Sequence, residues 1–249
     1  MLRRRVIPCL DVSGGRVVKG VNFVNLRDCG DPVSAAVRYA EQGADEICWL
    51  NITADDESWR DLLGQVERAA VEVDVPVTVG GGVKEERHVR DLLAAGADKV
   101  SINSAALRNP ELVDECTAAH GSQCIVVAID AKRDGDSWRA YVAGGRIPTE
   151  VDAVEWAAGA VARGAGELLV TSMDADGTKQ GYALDLMDAI LRRVPVPVIA
   201  SGGASGPDHI ADALAAGCSA ALAASIFHDA TYTVQEVKET CRSRGLPMR

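Results

Sequence analysis

Short apolar runs alternate with longer amphipathic segments along the whole chain. The runs contain four to seven residues each, the length of strands that are buried on both faces. The segments between them repeat apolar residues at the 3.6-residue period of helices. This pattern predicts eight strands, at residues 6–10, 46–50, 75–79, 99–103, 124–130, 167–171, 196–200 and 220–223. It also predicts eight helices, at residues 31–42, 58–72, 84–95, 110–119, 152–163, 184–193, 207–216 and 233–244.

The regular alternation of strand and helix predicts an α/β fold. Eight strand–helix units in 249 residues are typical of a (β/α)8 barrel, or TIM barrel. A doubly wound open sheet is the rival fold, but it rarely needs so many units. Length alone would also allow two smaller domains, because single cores stop growing near about 250–300 residues.

An internal repeat decides between these alternatives. Residues 75–82 (VPVTVGGG) return as residues 196–203 (VPVIASGG), an offset of 121 residues that recurs elsewhere in the chain. Each half then supplies four strand–helix units, and a closed barrel leaves no exposed sheet edge. We therefore predict one domain over residues 1–249, built from two duplicated half-barrels at about 1–120 and 121–249.

Composition and charge exclude several classes of protein. The formal charge is −10, from 36 acidic and 26 basic residues, and only 4% of the residues are aromatic. Nucleic-acid binding relies on basic surfaces and stacking aromatics, so we expect no nucleic-acid partner. No apolar stretch approaches the roughly 20 residues that span a bilayer, and the amino terminus lacks a signal-peptide pattern. We therefore expect a protein without a membrane partner.

The cysteines and histidines bear on compartment and cofactors. The seven cysteines form no CxxC pair and fall mostly in apolar patterns, so we expect buried free thiols in a reducing cytoplasm. The histidines at positions 88, 120, 209 and 228 fall in helical patterns and are expected at the surface. The sequence also lacks a dinucleotide-binding fingerprint. We expect no metal and no cofactor.

Two aspartates stand where the first and fifth predicted strands end. Asp11 and Asp130 occupy equivalent positions in the two halves, and these two strands face each other across a barrel. Active sites of such barrels lie at the carboxyl ends of the strands. A facing pair of carboxyl groups can serve as general acid and general base. The alternative is that each carboxylate only caps the turn that follows it.

Glycine-rich strand ends predict two phosphate sites. Residues 80–82 and 201–203 leave the third and seventh strands, and residues 103–104 and 224–225 leave the fourth and eighth. Glycines let backbone N–H groups approach a phosphate, and short helices that begin there would add a favourable dipole. Because the halves repeat, we expect an elongated ligand with a phosphate at each end. The segment 174–178 would close over one end of it.

A lysine follows the first strand in a glycine-rich segment. Lys19 lies where the chain is expected to form a loop over the barrel mouth. An exposed lysine is usually only solvated, but here it could instead close on an anionic substrate as part of a mobile loop.

Four charged residues lie near the starts of predicted strands. Arg5, Glu46, Lys99 and Glu167 would surround the amino-terminal opening of the barrel, with two charges of each sign. They can form a ring of salt bridges. A stabilising plug is the usual role of that face, and a gate that admits a small molecule is the alternative. The residues alone leave both open.

Together these motifs resemble the cyclase subunits of imidazole glycerol phosphate synthase. The resemblance is carried by residues 7–12 (IPCLDV), 18–23 (VKGVNF), 97–103 (ADKVSIN) and 223–228 (AASIFH), and it covers essentially the whole chain. It implies a lyase of histidine biosynthesis that uses ammonia as a substrate. The reaction converts phosphoribulosyl formimino aminoimidazole carboxamide ribonucleotide into imidazole glycerol phosphate and aminoimidazole carboxamide ribonucleotide. That doubly phosphorylated substrate agrees with the repeat.

The resemblance also implies roles for individual residues. Asp11 and Asp130 would be the acid/base pair. The substrate and the mobile loop would involve Lys19, Asn51 and Ser201. One phosphate would be held around Gly82, Asn103 and Ser104. The other would be held around Asp176, Gly177, Gly203, Ala224 and Ser225.

The family draws its ammonia from a separate glutaminase subunit, so the resemblance implies a heterodimer. The glutaminase docks on the amino-terminal face of the barrel, which would place Asp98 and Gln123 in the docking surface. The charged ring would then be the ammonia gate. Entry through the floor would also keep a reactive imine away from water.

Two positions depart from the family pattern. Asn51 stands where the family has aspartate, so a charge or base role there is lost, and we expect lower turnover with an unaffected fold. Glu150 stands where a glycine is expected in a turn, which would alter the loop geometry if that turn needs a positive φ.

Two other functions stay open. The sibling sugar isomerase of the same pathway is another duplicated barrel with aspartates on its first and fifth strands, but residues 21–26 and Lys99 point away from it. The second is a barrel that binds phosphorylated ligands or a glutaminase without catalysis, or that acts in a neighbouring amidotransferase pathway. Only Asn51 supports it.

Overall fold

A computed structural model describes residues 3–21, 24–53 and 56–249. Asn22 and Phe23, which belong to the motif at 18–23, lie outside the described residues. The strands are β1 (Arg5–Ser13), β2 (Arg16–Val21), β3 (Val24–Gly30), β4 (Ile47–Asn51), β5 (Val77–Gly80), β6 (Lys99–Ile102), β7 (Ile125–Asp134), β8 (Ser137–Val142), β9 (Ile147–Asp152), β10 (Glu167–Ser172), β11 (Val198–Ser201) and β12 (Ala220–Ala223). The helices are α1 (Pro32–Glu41), α2 (Asp56–Glu72), α3 (Glu86–Ala94), α4 (Ser104–Arg108), α5 (Glu111–His120), α6 (Ala153–Ala162), α7 (Leu184–Leu191), α8 (Pro207–Ala215), α9 (Ser225–His228) and α10 (Val234–Ser243). Within these ranges no helix is both long and apolar enough to cross a bilayer.

Eight parallel strands close into a barrel. Their order is β1, β4, β5, β6, β7, β10, β11 and β12, after which β12 pairs with β1 again. These are the eight strands that the apolar runs predict. The eight predicted helices are also present, as α1, α2, α3, α5, α6, α7, α8 and α10. The predicted (β/α)8 fold is therefore confirmed.

Each half of the barrel carries one hairpin beyond its first strand. The antiparallel strands β2 and β3 follow β1, and β8 and β9 follow β7. Lys19, predicted in a loop, lies in β2, and Glu150, predicted in a turn, lies in β9 without a positive φ. Both predictions were wrong because a half-exposed strand alternates polar and apolar residues and forms no apolar run. In residues 137–142 (SWRAYV), every second residue is apolar and buried, from Trp138 to Val142. That alternation in the sequence could have revealed the second hairpin.

Side chains along each barrel strand alternate between the interior and the helix layer. In β1, Ile7 and Cys9 lie inside, whereas Val6 and Leu10 belong to the core shared with the helices. The interior cluster consists of Ile7, Cys9, Cys48, Val126, Leu169, Ile199, Ala220 and Leu222. The same alternation, continued to the strand ends, decides which residues can meet at the mouth and at the floor.

The burial of the cysteines matches the sequence-based prediction, whereas the burial of the histidines does not. All seven cysteines are free, and all but the half-buried Cys29 are buried, as predicted. No histidine is exposed, so the expected surface positions were wrong. His120 Nε2 lies 2.8 Å from Glu86 Oε1, and His228 Nδ1 lies 2.6 Å from the Tyr39 hydroxyl. Burial lowers the pKa of His228 to about 4, so this imidazole is neutral and joins α9 to α1.

Candidate active site

Asp11 and Asp130 enter the barrel mouth from opposite sides. Each follows an inward-facing residue by two positions, Cys9 in β1 and Ala128 in β7, so both side chains point inward. Cys9 Sγ lies 3.9 Å from Asp11 Oδ1. β1 and β7 are half a circuit apart in the strand order, so the carboxyl groups face each other across the mouth.

Neither carboxyl group forms an ion pair with a described residue, and the pKa values of both are raised toward neutral pH. Burial raises the pKa of Asp11 to about 7, with a further contribution from the charge of Asp176. Burial likewise raises the pKa of Asp130 to about 6, although Asn103 Nδ2 donates a hydrogen bond to Asp130 Oδ2 (3.0 Å) that favours the ionised form. Groups with such pKa values are suited to give and take protons at neutral pH.

Asp176 adds a third carboxyl group to the mouth, where the resemblance implied a phosphate ligand. Partial desolvation in the concave mouth raises its pKa, and a hydrogen bond from the Gly177 N–H opposes that rise. Its negative charge raises the pKa of both Asp11 and Asp130. The structure places the Asp176 carboxyl group with the two acids, and a carboxylate repels a phosphate at close range. The part of Asp176 in the phosphate site stays a prediction.

Asn103 and Ser104 use their side chains within the protein. The Asn103 amide holds Asp130, and Ser104 Oγ accepts a hydrogen bond from the Ala143 N–H at 2.8 Å. The second hairpin is therefore tied to α4. Short helices α4 and α9 begin at Ser104 and Ser225, directly after β6 and β12, as the sequence predicts.

Close backbone approaches explain the glycines at the strand ends. A Cβ on Gly81 would lie 1.9 Å from the Asn51 carbonyl oxygen, and one on Gly203 would lie 2.1 Å from that of Gly181. Both glycines also have positive φ angles, of 87° and 103°. The backbone therefore requires glycine at both positions. The other predicted ligand residues lie at the same edge of the barrel: Gly82 after β5, Gly177 after β10, Ser201 at the end of β11 and Ala224 after β12.

Asn51 faces away from the barrel interior. It follows Trp49, which packs in the outer core, by two positions, whereas Leu50 packs against the interior cluster. Asn51 Oδ1 accepts a hydrogen bond from the Thr53 N–H at 3.2 Å, which closes a turn after β4. Its Nδ2 is buried and has no hydrogen-bond partner within the described part of the chain. The structure therefore does not bring Asn51 together with Asp11.

Lys19 also lies apart from the two acids. Its Nζ pairs with the carboxylate of Asp229, and Arg27 donates to the same carboxylate at 2.9 Å. Asp229 directly follows α9. Sequence reasoning missed Asp229, because nothing in the linear pattern links position 229 with position 19.

The four predicted floor residues form a closed ring of ion pairs. Arg5 pairs with Glu46 at 2.6 Å and also with Glu167, and Lys99 Nζ pairs with Glu46 at 2.8 Å and with Glu167 at 2.7 Å. Thr78, which sequence reasoning missed, donates its hydroxyl to Glu46 at 2.5 Å. Burial opposes ionisation of Glu46, but Lys99 and Arg5 outweigh it and hold its pKa below the usual range. The four formal charges of the ring cancel.

Asp98 and Gln123 lie exposed at the amino-terminal side of the barrel. Asp98 Oδ2 accepts from the Val77 N–H at 2.8 Å, and Gln123 Nε2 donates to the His120 carbonyl at 3.3 Å. Asp98 also lines a cavity of about 320 Å³. Its other lining residues are Ala70, Val73, Asp74, Val75, Pro76, Val77, Gly96 and Arg249.

The chain matches known proteins over nearly all of its length. A family described as "Histidine biosynthesis protein" matches residues 5–233. The imidazole glycerol phosphate synthase subunit HisF of Exiguobacterium sibiricum is 55% identical over 249 residues, which cover 100% of both chains. The similarity therefore extends over the full length of the chain and not only over the separate motifs. The chain therefore belongs to the histidine biosynthesis protein family and, within it, to the HisF type of imidazole glycerol phosphate synthase subunit.

Proposed function

We propose that the mouth of this barrel closes an imidazole ring with Asp11 and Asp130 as the acid/base pair. The chain is an enzyme of histidine biosynthesis with the cyclase activity of its family. The observation that carries the residue assignment is a pair of buried, facing carboxyl groups whose pKa values are raised toward neutral pH. Neither group is neutralised by a cation of the described chain, so both remain available for proton transfer.

Ring closure needs proton transfers at more than one atom. Ammonia adds to the ribulosyl ketone and water leaves, which requires a proton donor. The new nitrogen then loses a proton as it closes on the formimino carbon, and the departing aminoimidazole nitrogen takes one up. Asp11 has the higher pKa and starts as the donor. Asp130 starts as the acceptor, because the Asn103 amide stabilises its ionised form.

Two phosphate sites on opposite sides of the mouth would hold both ends of the substrate. The first would comprise Gly82, Asn103 and Ser104, and the second Gly177, Gly203, Ala224 and Ser225. Turns with positive-φ glycines, such as Gly82 and Gly203, present backbone N–H groups to an anion. Holding both ends would orient the ketone and the formimino carbon between the two acids.

The floor would receive ammonia from a glutaminase partner, since the relative is named as a subunit of a synthase. We propose the Arg5–Glu46–Lys99–Glu167 ring as the gate. Each cation contacts both carboxylates, so a displaced lysine leaves Arg5 in place to neutralise them in part. The cavity beside Asp98 combines apolar walls with charged edges and would receive a protruding side chain of the glutaminase.

A cytoplasmic location fits the thiols. Seven free cysteines persist in a reducing compartment and would be unusual in an oxidising one.

Ammonia-dependent turnover of the ribulosyl substrate, followed by ultraviolet absorbance, tests the acid/base assignment. Asp11→Asn and Asp130→Asn keep the side-chain volume and remove proton transfer, so each should lower kcat by about 10²- to 10⁴-fold. Substrate binding without ammonia should persist in both variants. Asp61→Asn, a change of an exposed aspartate on α2, is the matched control and should stay within about twofold.

Near-normal turnover in either variant would contradict the assignment of that residue. Turnover of the isomerase's aldose substrate in place of the ribulosyl substrate would favour the sibling enzyme instead.

A further inference from the structure

The carboxylate of Asp229 gathers two cations from the first hairpin. Lys19, from β2, pairs with Asp229 Oδ2, and Arg27, from β3, donates to Asp229 Oδ1 at 2.9 Å. These contacts join segments that are 210 and 202 residues apart in the chain. Asp229 therefore fastens both strands of this hairpin to the end of α9.

This contact lies close to the second proposed phosphate site. α9 contains only Ser225–His228, and Asp229 is the next residue. At a rise of 1.5 Å per residue, Ser225 and Asp229 are roughly 6 Å apart along the helix axis. The Lys19 ammonium sits on a flexible four-carbon stem, so a small movement can carry it from one end of α9 toward the other.

The charges of the cluster favour such an exchange. Two cations share one carboxylate, and the hydrogen bond from Lys19 together with its charge holds the pKa of Asp229 below the usual range. Asp229 is therefore ionised at neutral pH and competes for the ammonium. A phosphate monoester carries nearly two negative charges and attracts the ammonium more strongly than one carboxylate. Arg27 stays on Asp229 when Lys19 leaves, so the carboxylate keeps a partner.

We propose that Asp229 is a positioning residue that holds Lys19 in the free enzyme and yields it to the substrate phosphate bound at the start of α9. The proposal rests on the second proposed phosphate site and on the role toward the substrate that the family resemblance implies for Lys19. Asp229 then acts as a competitor built into the protein, and its removal makes substrate binding tighter while the acid/base chemistry is unchanged.

Calorimetric titration of the ribulosyl substrate in the absence of ammonia tests this, because the substrate binds without turning over. Asp229→Asn should lower Kd by about two- to fivefold, the range of a partly exposed ion pair. The turnover assay with ammonia should show a lower KM with kcat within twofold. Asp212→Asn makes the same change at the carboxylate that pairs with Arg244 at 2.6 Å, remote from the hairpin, and should leave Kd unchanged.

A second background separates an effect through Lys19 from general repulsion of the anionic substrate. In a Lys19→Met chain, Asp229→Asn should no longer change Kd. A persistent decrease in that background would overturn the proposal, as would an unchanged or raised Kd in the Asp229→Asn single variant. If Lys19→Met alone alters neither Kd nor kcat, the assigned role of Lys19 fails while the cyclase activity stands.

Discussion

The mouth and the floor of the barrel both bury carboxyl groups, with opposite results for their ionisation. At the mouth, no cation of the described residues pairs with Asp11 or Asp130, and burial raises their pKa values to about 7 and 6. At the floor, Glu46 is also buried, but Lys99 and Arg5 lower its pKa. Burial is common to both ends, so the presence of a partner decides which carboxyl group can carry a proton.

This contrast distinguishes carboxyl groups suited to proton transfer, at the mouth, from carboxylates suited to a structural role, at the floor. An unpaired buried carboxyl group destabilises the fold in its ionised form, and a protein keeps it where a proton must move. A paired carboxylate does not titrate near neutral pH, so it suits a closed barrier or a plug. The four predictions that follow address this difference.

The largest effect is expected when one cation is removed from the floor. Lys99→Met leaves Glu46 and Glu167 with Arg5 alone, and we expect a loss of about 2–3 kcal/mol, which lowers Tm by roughly 5–10 °C at pH 7. Because the folded-state pKa of Glu46 is lowered, this stability is present above its ordinary value near 4.5 and is lost as the pH falls through the folded value. The deficit should therefore shrink below about pH 4.

Thermal unfolding at pH 7 and at about pH 3 measures this loss. Lys84→Met, a change of an exposed lysine before α3, is the control and should stay within about 0.5 kcal/mol. A deficit of equal size at both pH values would show that Lys99 contributes through packing and not through charge.

The stability contributed by Asp11 at the mouth should change with pH in the opposite direction. The folded-state pKa of Asp11 is raised from 3.8 to about 7, so its stabilising contribution is complete below pH 4 and is lost as the pH rises through 7. Asp11→Asn removes that loss. Between pH 4 and pH 8, the free energy of unfolding of the variant should therefore rise relative to that of the unmodified chain by on the order of 2 kcal/mol.

Denaturant unfolding across this pH range checks the prediction, with the exposed Asp61→Asn as control. If the Asp11 variant followed the unmodified chain at every pH, then Asp11 would be ionised in the folded state and could not start as the proton donor.

A smaller effect is expected at Asp176, whose charge raises the pKa of both mouth acids. Asp176→Asn removes that charge, so both limbs of the pH profile of kcat/KM should move to lower pH, by roughly half a unit. Asp61→Asn, a change of an exposed aspartate on α2, should leave the profile in place. Direct phosphate binding by the Asp176 side chain would instead change KM without moving the limbs.

The smallest effect is expected at Asn51. Because its side chain lies on the outer face of β4 and shapes the turn to Thr53, Asn51→Asp should change kcat by less than about threefold. The turnover assay decides this. A tenfold or larger rise in kcat would show that position 51 takes part in the chemistry of the mouth. It would support the sequence-based expectation that Asn51 lowers turnover.

The parts of the molecule that follow a repeating period could be predicted from the sequence. Apolar runs located the eight barrel strands, and strand-end alternation located Asp11 and Asp130, because both depend on neighbours in the chain. The hairpins were missed, since a half-exposed strand has no apolar run. Thr78 and Asp229 were missed for another reason: each meets its partner only after the barrel closes, and no local pattern encodes that contact.

The interior cluster between floor and mouth has a consequence for what can cross it. Its members present aliphatic carbon and two thiols, Cys9 and Cys48, on neighbouring strands. An ammonium ion would have to give up its hydration among groups that offer almost no compensating charge, at a cost of several kcal/mol, whereas neutral ammonia loses far less. If ammonia enters through the floor as proposed, the apolar core would admit it in its neutral form, and its proton would stay on the floor side.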